Sequence, residues 1–208
     1  MRRFKVSEIV PTGYSISKRK RLLDLFGSFV GLVFLSLIFL FIVITMKLYS
    51  RGPVFYKRSR LGLHRKGFDL IKFRTMNEGS DQKKSGLRTQ VLDSRITNIG
   101  RILRKSYIDE LPQFWNVFKG DMSIVGPRPE FPELYVDLEK IVSGFTERLV
   151  VRPGITGLAQ TQYKHAHNDI EAAGRLEYDM KYIETASFFG DLSIIVQTVL
   201  RSMKFKGS

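Results

Sequence analysis

Apolar residues run without a single charge from Leu25 to Met46 (LFGSFVGLVFLSLIFLFIVITM), whereas the rest of the chain mixes polar and apolar positions. As one helix this run would be roughly 33 Å long, about the thickness of a bilayer's hydrocarbon core. A core helix in so small a protein seldom needs such a run. A cleaved signal peptide is shorter and ends in a small-residue cleavage site that is missing here. The pattern predicts a permanent membrane anchor over residues 22–50. Gly27, Ser28, Gly31 and Ser36 permit a bend in it.

Beyond the anchor the periodicity changes. Val54–Tyr56 and Phe68–Phe73 are β-favouring runs joined by a basic connection with Gly62 and Gly67, which predicts a hairpin. Residues 77–90 are polar and aperiodic and read as a loop. Ile99–Phe118 reads as mostly helical, with Pro112 suited to a first turn and Gly120 to a stop. Residues 131–149 and 169–184 read as amphipathic helices. Phe188, Phe189, Leu192, Ile195, Val196, Val199 and Met203 form a broad apolar face near the C-terminus. That face suits either packing on the domain or a membrane interface. The expected organisation is a basic segment (1–21), a membrane helix (22–50) and one compact domain (51–208). The fold class is α+β and mostly helical, with a small hairpin, interfacial helices and a re-entrant or spanning helix.

Charge sharpens the picture. Lys plus Arg number 34 against 20 Asp plus Glu, a formal net charge of +14, which favours nucleic acid, anionic lipid or phosphorylated substrates as partners. Both flanks of the anchor are basic: Lys18–Arg21 before it, Lys47, Arg51, Lys57, Arg58 and Arg60 after it. Positive flanks prefer the cytoplasmic side, so two of them favour a helix that enters, bends and returns. The absence of cysteine excludes disulfides and thiolate chemistry.

Against this basic background Asp109 and Glu110 stand side by side. Ser106 and Asp109 have the spacing of a helix N-cap, the common structural role for such residues. Alternatively, one acid attacks while the other holds a cation; Mg²⁺ takes carboxylate and phosphate oxygens. Lys72, Arg74, Arg104 and Arg152 are candidate phosphate contacts, or simply solvated surface. Arg128 stands between Pro127 and Pro129, and a stiff loop presenting a planar guanidinium suits a phosphate clamp. The Pro153–Gly154 pair reads as a type II turn. No P-loop and no Rossmann fingerprint occur. His165-x-His167 lacks an evident third ligand.

Several strings carry a resemblance: KRLLDL, RGPVFYKRSRLG, FDLIKFRTM, DSRITNIGRILRKSYIDELPQFWNVFKGDMSIVGPRPE and VRPGITGLAQ. From about Lys18 onward the chain resembles the bacterial sugar transferases, the small monotopic phosphoglycosyl transferases. The resemblance implies transfer of a sugar phosphate from a UDP-sugar to polyprenyl phosphate in a bacterial inner membrane, on its cytoplasmic face, with release of UMP. It implies an acidic dyad at Asp109 and Glu110, substrate contacts at Arg128 and Arg104, and Mg²⁺ as cofactor. It implies membrane lipid as a partner and no nucleic acid. Where the family usually has Ser-Pro in its membrane helix, this chain has Ser36-Leu37. The rival reading is a non-catalytic, membrane-anchored basic binding protein.

Overall fold

The computed structural model describes residues 10–50, 52–77, 79, 94–163 and 169–203, without the side chains of 169–173 and 203. Most of the polar stretch 77–90, the His165–His167 pair and Arg51 lie outside the described residues.

The long apolar run is not one straight helix. It forms α1 (Lys18–Phe34) and α2 (Ser36–Tyr49), bent by 54° at Leu35. Ser36 donates its hydroxyl to Val33 O at 2.7 Å, a back-bond of the kind that bends helices. Among the described residues no single helix is long and apolar enough to cross a membrane; this bent pair meets that test jointly, by length and composition. The burial of α1 is inverted. Lys20, Asp24 and Ser28 point inward, while Leu22, Phe26 and Phe29 point out. Phe34 and Leu37, on either side of the bend, are 79% and 77% exposed.

The predicted hairpin is present and longer than its apolar residues alone suggested. β1 (Phe55–Leu61) pairs antiparallel with β2 (Gly67–Phe73), Phe55 opposite Phe73 and Leu61 opposite Gly67. Strand pleating puts Tyr56, Arg58 and Arg60 on the half-buried face of β1. Ile42 and Met46 of α2 share a core with Val54, Phe73 and Leu103, so the bent helix pair is built into the domain.

The expected helix over Ile99–Phe118 is interrupted. α3 (Asn98–Lys105) starts under a Thr97 cap whose hydroxyl accepts from Gly100 N. A single 3₁₀ turn follows over Ile108–Glu110, entered through Tyr107 at φ 57°, and then α4 (Gln113–Lys119). Ser106 is not an N-cap but ends α3, donating to Ile102 O at 2.9 Å. Pro112 immediately precedes α4, and Gly120 stops it at φ 100°, as expected.

The Pro153–Gly154 pair is not a type II turn. It opens β4 (Gly154–Thr156), which pairs parallel with β3 (Ser123–Val125). Two three-residue strands far apart in sequence carry almost no periodic signal, hence the different expectation. The pairing needs glycine, because a Cβ on Gly126 would lie 2.5 Å from Arg152 O. α5 (Pro132–Ile141) stops at an extended Val142, and Gly144 at φ 85° opens 3₁₀ turns over Phe145–Val150, so the helix expected over 131–149 is shorter. α6 (Leu158–Gln162), α7 (Asp169–Thr185) and α8 (Phe188–Met203) complete the chain. Ile194 of α8 is buried with Val125, Tyr182 and Ile183, whereas Phe189 and Leu200 face out. The described residues are thus mostly helical with two small sheets, an α+β arrangement.

Candidate active site

The 3₁₀ turn carrying Asp109 and Glu110 packs on β2 and on α3. A tight turn sends adjacent side chains in different directions, and the two acids have different surroundings. Glu110 Oε1 lies 2.6 Å from Lys72 Nζ and 2.7 Å from Arg128 Nη2. Arg128 Nη1 also donates to Oε2 at 3.3 Å, completing a two-point grip. Burial opposes the charge of Glu110, but Arg128 and Lys72 outweigh it and hold the carboxyl well below its usual range. The same ion pair raises Arg128 above its ordinary value.

Asp109 is 8% exposed and, among the described residues, has neither a hydrogen bond nor an ion pair. Burial first, and then the neighbouring Glu110 charge, push its carboxyl up to about 6. Lys72, Arg104 and Arg128 partly offset that rise from a distance. The turn therefore holds one acid paired with two cations beside one that is buried and unpaired.

The loop bearing Arg128 is fixed from three sides. Gly126 N donates to Thr156 O at 2.9 Å, and Gly154 N donates to Pro127 O at 2.9 Å. Arg148 Nη2 donates to Arg128 O at 2.5 Å while pairing with Asp179 at 2.9 Å in a site where both side chains are 3% exposed. The side chain of Arg128 remains 40% exposed. Beside it opens a cleft of about 130 Å³ lined by Arg60, Lys72, Gln113, Arg128, Glu130 and Phe131.

The other sequence candidates divide. Lys72 is in the site, as a partner of Glu110. Arg104 is close enough to act on Asp109 and donates its Nε to Thr75 Oγ1 at 2.8 Å. Arg74 is buried and donates to Ser50 Oγ at 2.8 Å, at the end of α2 rather than at the dyad. Arg152 donates to Gly120 O at 3.1 Å and, near Arg21, caps the C-terminal end of α4. Neither makes a described contact with the acids. Arg60, Gln113, Phe131 and Arg148 are members of the site or its support that sequence reasoning did not assign. Period-two alternation after Tyr56 is the signal that could have pointed to Arg60.

No cluster of three or more His, Cys, Asp or Glu side chains occurs among the described residues. Mg²⁺ does not need one, because it commonly takes one or two carboxylates and fills the remainder with water and substrate phosphates. The carboxylate of Asp109, buried and without a cation partner, suits such an ion. Glu110 could add an oxygen only by loosening Lys72 or Arg128.

The profile of the family described as "Bacterial sugar transferase" matches residues 15–205. The chain is 41% identical over 191 residues to the "Uncharacterized sugar transferase EpsL" of Bacillus subtilis (strain 168), covering 90% of this chain and 89% of that one. It is 36% identical to the UDP-N-acetylgalactosamine-undecaprenyl-phosphate N-acetylgalactosaminephosphotransferase of Aeromonas hydrophila, covering 86% of this chain and 42% of that protein. It is 38% identical to the UDP-glucose:undecaprenyl-phosphate glucose-1-phosphate transferase of Klebsiella pneumoniae, covering 88% of this chain and 39% of that protein. The chain thus spans about two fifths of the length of the latter two relatives. With nearly its whole length matched and its paired acids set against a rigid arginine loop, this chain belongs to the bacterial sugar transferase family, enzymes of the phosphoglycosyl transferase class.

Proposed function

We propose that this protein transfers a sugar 1-phosphate from a UDP-sugar to polyprenyl phosphate through a covalent intermediate on Asp109, and so starts assembly of a lipid-linked glycan. The observation that carries the proposal is the asymmetry of the dyad. Glu110 is neutralised by two cations, whereas Asp109 is buried, unpaired and raised to about 6. A carboxylate with no cation masking its lone pairs is the better nucleophile.

In the first step a carboxylate oxygen of Asp109 forms a bond to the phosphorus bearing the sugar. The bond from that phosphorus to the bridging oxygen breaks, and UMP leaves with the electron pair. In the second step an oxygen of polyprenyl phosphate attacks the same phosphorus and the aspartyl–phosphorus bond breaks. The carboxylate is restored and a polyprenyl diphosphate sugar is released. Throughout, Glu110 holds Lys72 and Arg128 at the rim of the cleft, where their remaining donors face the diphosphate. Mg²⁺, which one oxygen of Asp109 would hold while leaving the other free to attack, would supply positive charge to the donor phosphates.

The acceptor explains the outward apolar faces. Leu22, Phe26 and Phe29 of α1, Phe34 and Leu37 at the bend, and the outer side of α8 are exposed together with Trp115 and Phe118 of α4. In water this is costly; against lipid it is favourable. We place residues 22–50 in the bilayer as a re-entrant pair, with both basic flanks and the catalytic domain on the cytoplasmic face of a bacterial inner membrane.

The test is a panel of radiolabelled UDP-sugars given to detergent-solubilised protein with Mg²⁺ and no lipid. The expected result is UMP release with label retained on Asp109, discharged when polyprenyl phosphate is added. Release of UMP only in the presence of lipid, or label on another residue, would replace the covalent route with direct transfer.

A further inference from the structure

The cleft beside the dyad contains a cation that the two-acid chemistry does not use. Arg60 comes from β1, where pleating turns it to the same face as Tyr56, whose partner across the hairpin is Lys72. Its guanidinium lies over the Phe131 ring, 3.3 Å from the centroid, and Arg58 approaches the same ring at 4.3 Å. Lys72 and Arg128, the other cations lining the cleft, are already paired with Glu110. Arg60 has no carboxylate within ion-pair distance among the described residues. Its one hydrogen bond there runs from Nη1 to Ser59 O at 3.0 Å. Glu130 favours its charge but bonds Arg175 instead, at 3.5 Å.

A guanidinium stacked on a ring keeps its N–H groups in the ring-parallel plane, so its remaining donors stay available at the edge. The side chain is half-buried; burial, chiefly, and the nearby Arg128 and Arg58 charges lower it to about 10. A half-buried cation with unused donors at the edge of a cleft favours an anion there.

We infer that Arg60, held on Phe131, forms a second phosphate subsite that binds the nucleoside monophosphate end of the donor. This rests on the function proposed above. When the bond between the two donor phosphorus atoms breaks, the bridging oxygen leaves with UMP and gains negative charge. Lys72 and Arg128 stay with Glu110 beside the phosphorus that Asp109 attacks, and Arg60 receives the departing phosphate. The cleft thereby separates two tasks, one set of cations for the transferred phosphate and one for the leaving group.

Calorimetric binding of UMP and of uridine to the solubilised full-length protein, with Mg²⁺, tests this. Arg60→Gln should weaken UMP binding at least tenfold and leave uridine binding unchanged. Arg60→Lys keeps the charge and loses the planar fork; it should weaken UMP at least threefold and serves where the glutamine variant fails to fold. Unchanged UMP affinity in the folded variants would overturn the assignment. Equal loss of UMP and uridine would also overturn it, because that marks a structural role. A wild-type protein that neither binds UMP nor releases it from any UDP-sugar would overturn the donor reading itself, and the subsite with it. Wild-type UMP release alongside unaffected variants would remove the subsite alone.

Discussion

Two charge clusters among the described residues are built on opposite rules. At the foot of α1, Asp191 accepts from Lys20 Nζ at 2.5 Å, from Tyr14 at 3.0 Å and from Tyr182 at 2.9 Å. Nearby, Asp24 accepts from Ser123 Oγ and Ile124 N, each at 3.0 Å. Every acid there has partners, and the cluster ties α1 to α8 and β3. At the dyad one acid has more cations than it needs and its neighbour has none. A buried acid with satisfied oxygens is structural; one left unpaired in an otherwise cationic site is available for chemistry.

Exchanging the unpaired acid for a neutral isostere breaks this contrast most directly. Asp109→Asn should lower turnover by roughly a thousandfold or more, measured as UMP release, since an amide cannot form the acyl phosphate. The same change should raise the melting temperature at pH 7. The carboxyl holds its proton more tightly in the folded protein, with a value near 6 rather than the ordinary 3.8. Its contribution to stability is therefore present below about pH 4 and lost as pH rises through 6. Asparagine escapes that loss, so the two melting curves should converge toward pH 3.5. A variant less stable than wild type at pH 7 would show that Asp109 has a stabilising partner.

The structural cluster should respond in the other direction. Lys20→Met leaves Asp191 buried without its cation and should cost about 3 kcal/mol of stability in a denaturant melt. Turnover per folded molecule should stay within about twofold. A large loss of turnover at full folding would mean that the α1–α8 junction reports to the active site.

Arg128→Lys sharpens the comparison inside the dyad itself. Lysine keeps a charge near Glu110 but not the two-point grip, so the first half-reaction should slow by roughly tenfold to a hundredfold with the fold intact. The mildest perturbation is pH. UMP release without lipid should decline by about tenfold per unit below pH 6, as Asp109 takes up its proton. Arg128→Lys should move that midpoint upward, because a less firmly held cation favours the carboxylate less. A profile flat down to pH 4.5 would remove Asp109 as the group that must be ionised.

How much of this was legible beforehand depends on the range of the signal. The long apolar run, the hairpin, α7 and the stop at Gly120 could be read directly, because each is a local pattern. The break of Ile99–Phe118 into α3, a 3₁₀ turn and α4 could not. Its residues favour helix, and only packing on β2 and the left-handed Tyr107 impose the turn. Arg74, which alternates with apolar residues in IKFRTM, and Arg152, which precedes Pro153–Gly154, bond Ser50 and Gly120, partners 24 and 32 positions away that no local pattern announces.

From the amino-acid order alone came a bilayer-length apolar run, a basic surface, an acidic pair and a proline-stiffened arginine, since these depend on composition and near neighbours. The tertiary structure decided which acid is paired with cations and which is left without one. Glu110 meets Lys72 from 38 positions upstream and Arg128 from 18 positions downstream. Arg128 is held there by a strand pairing and by an arginine that the chain supplies only later. Charges separated by such lengths of chain acquire their distances, and hence their ionisation, only when the backbone between them has folded.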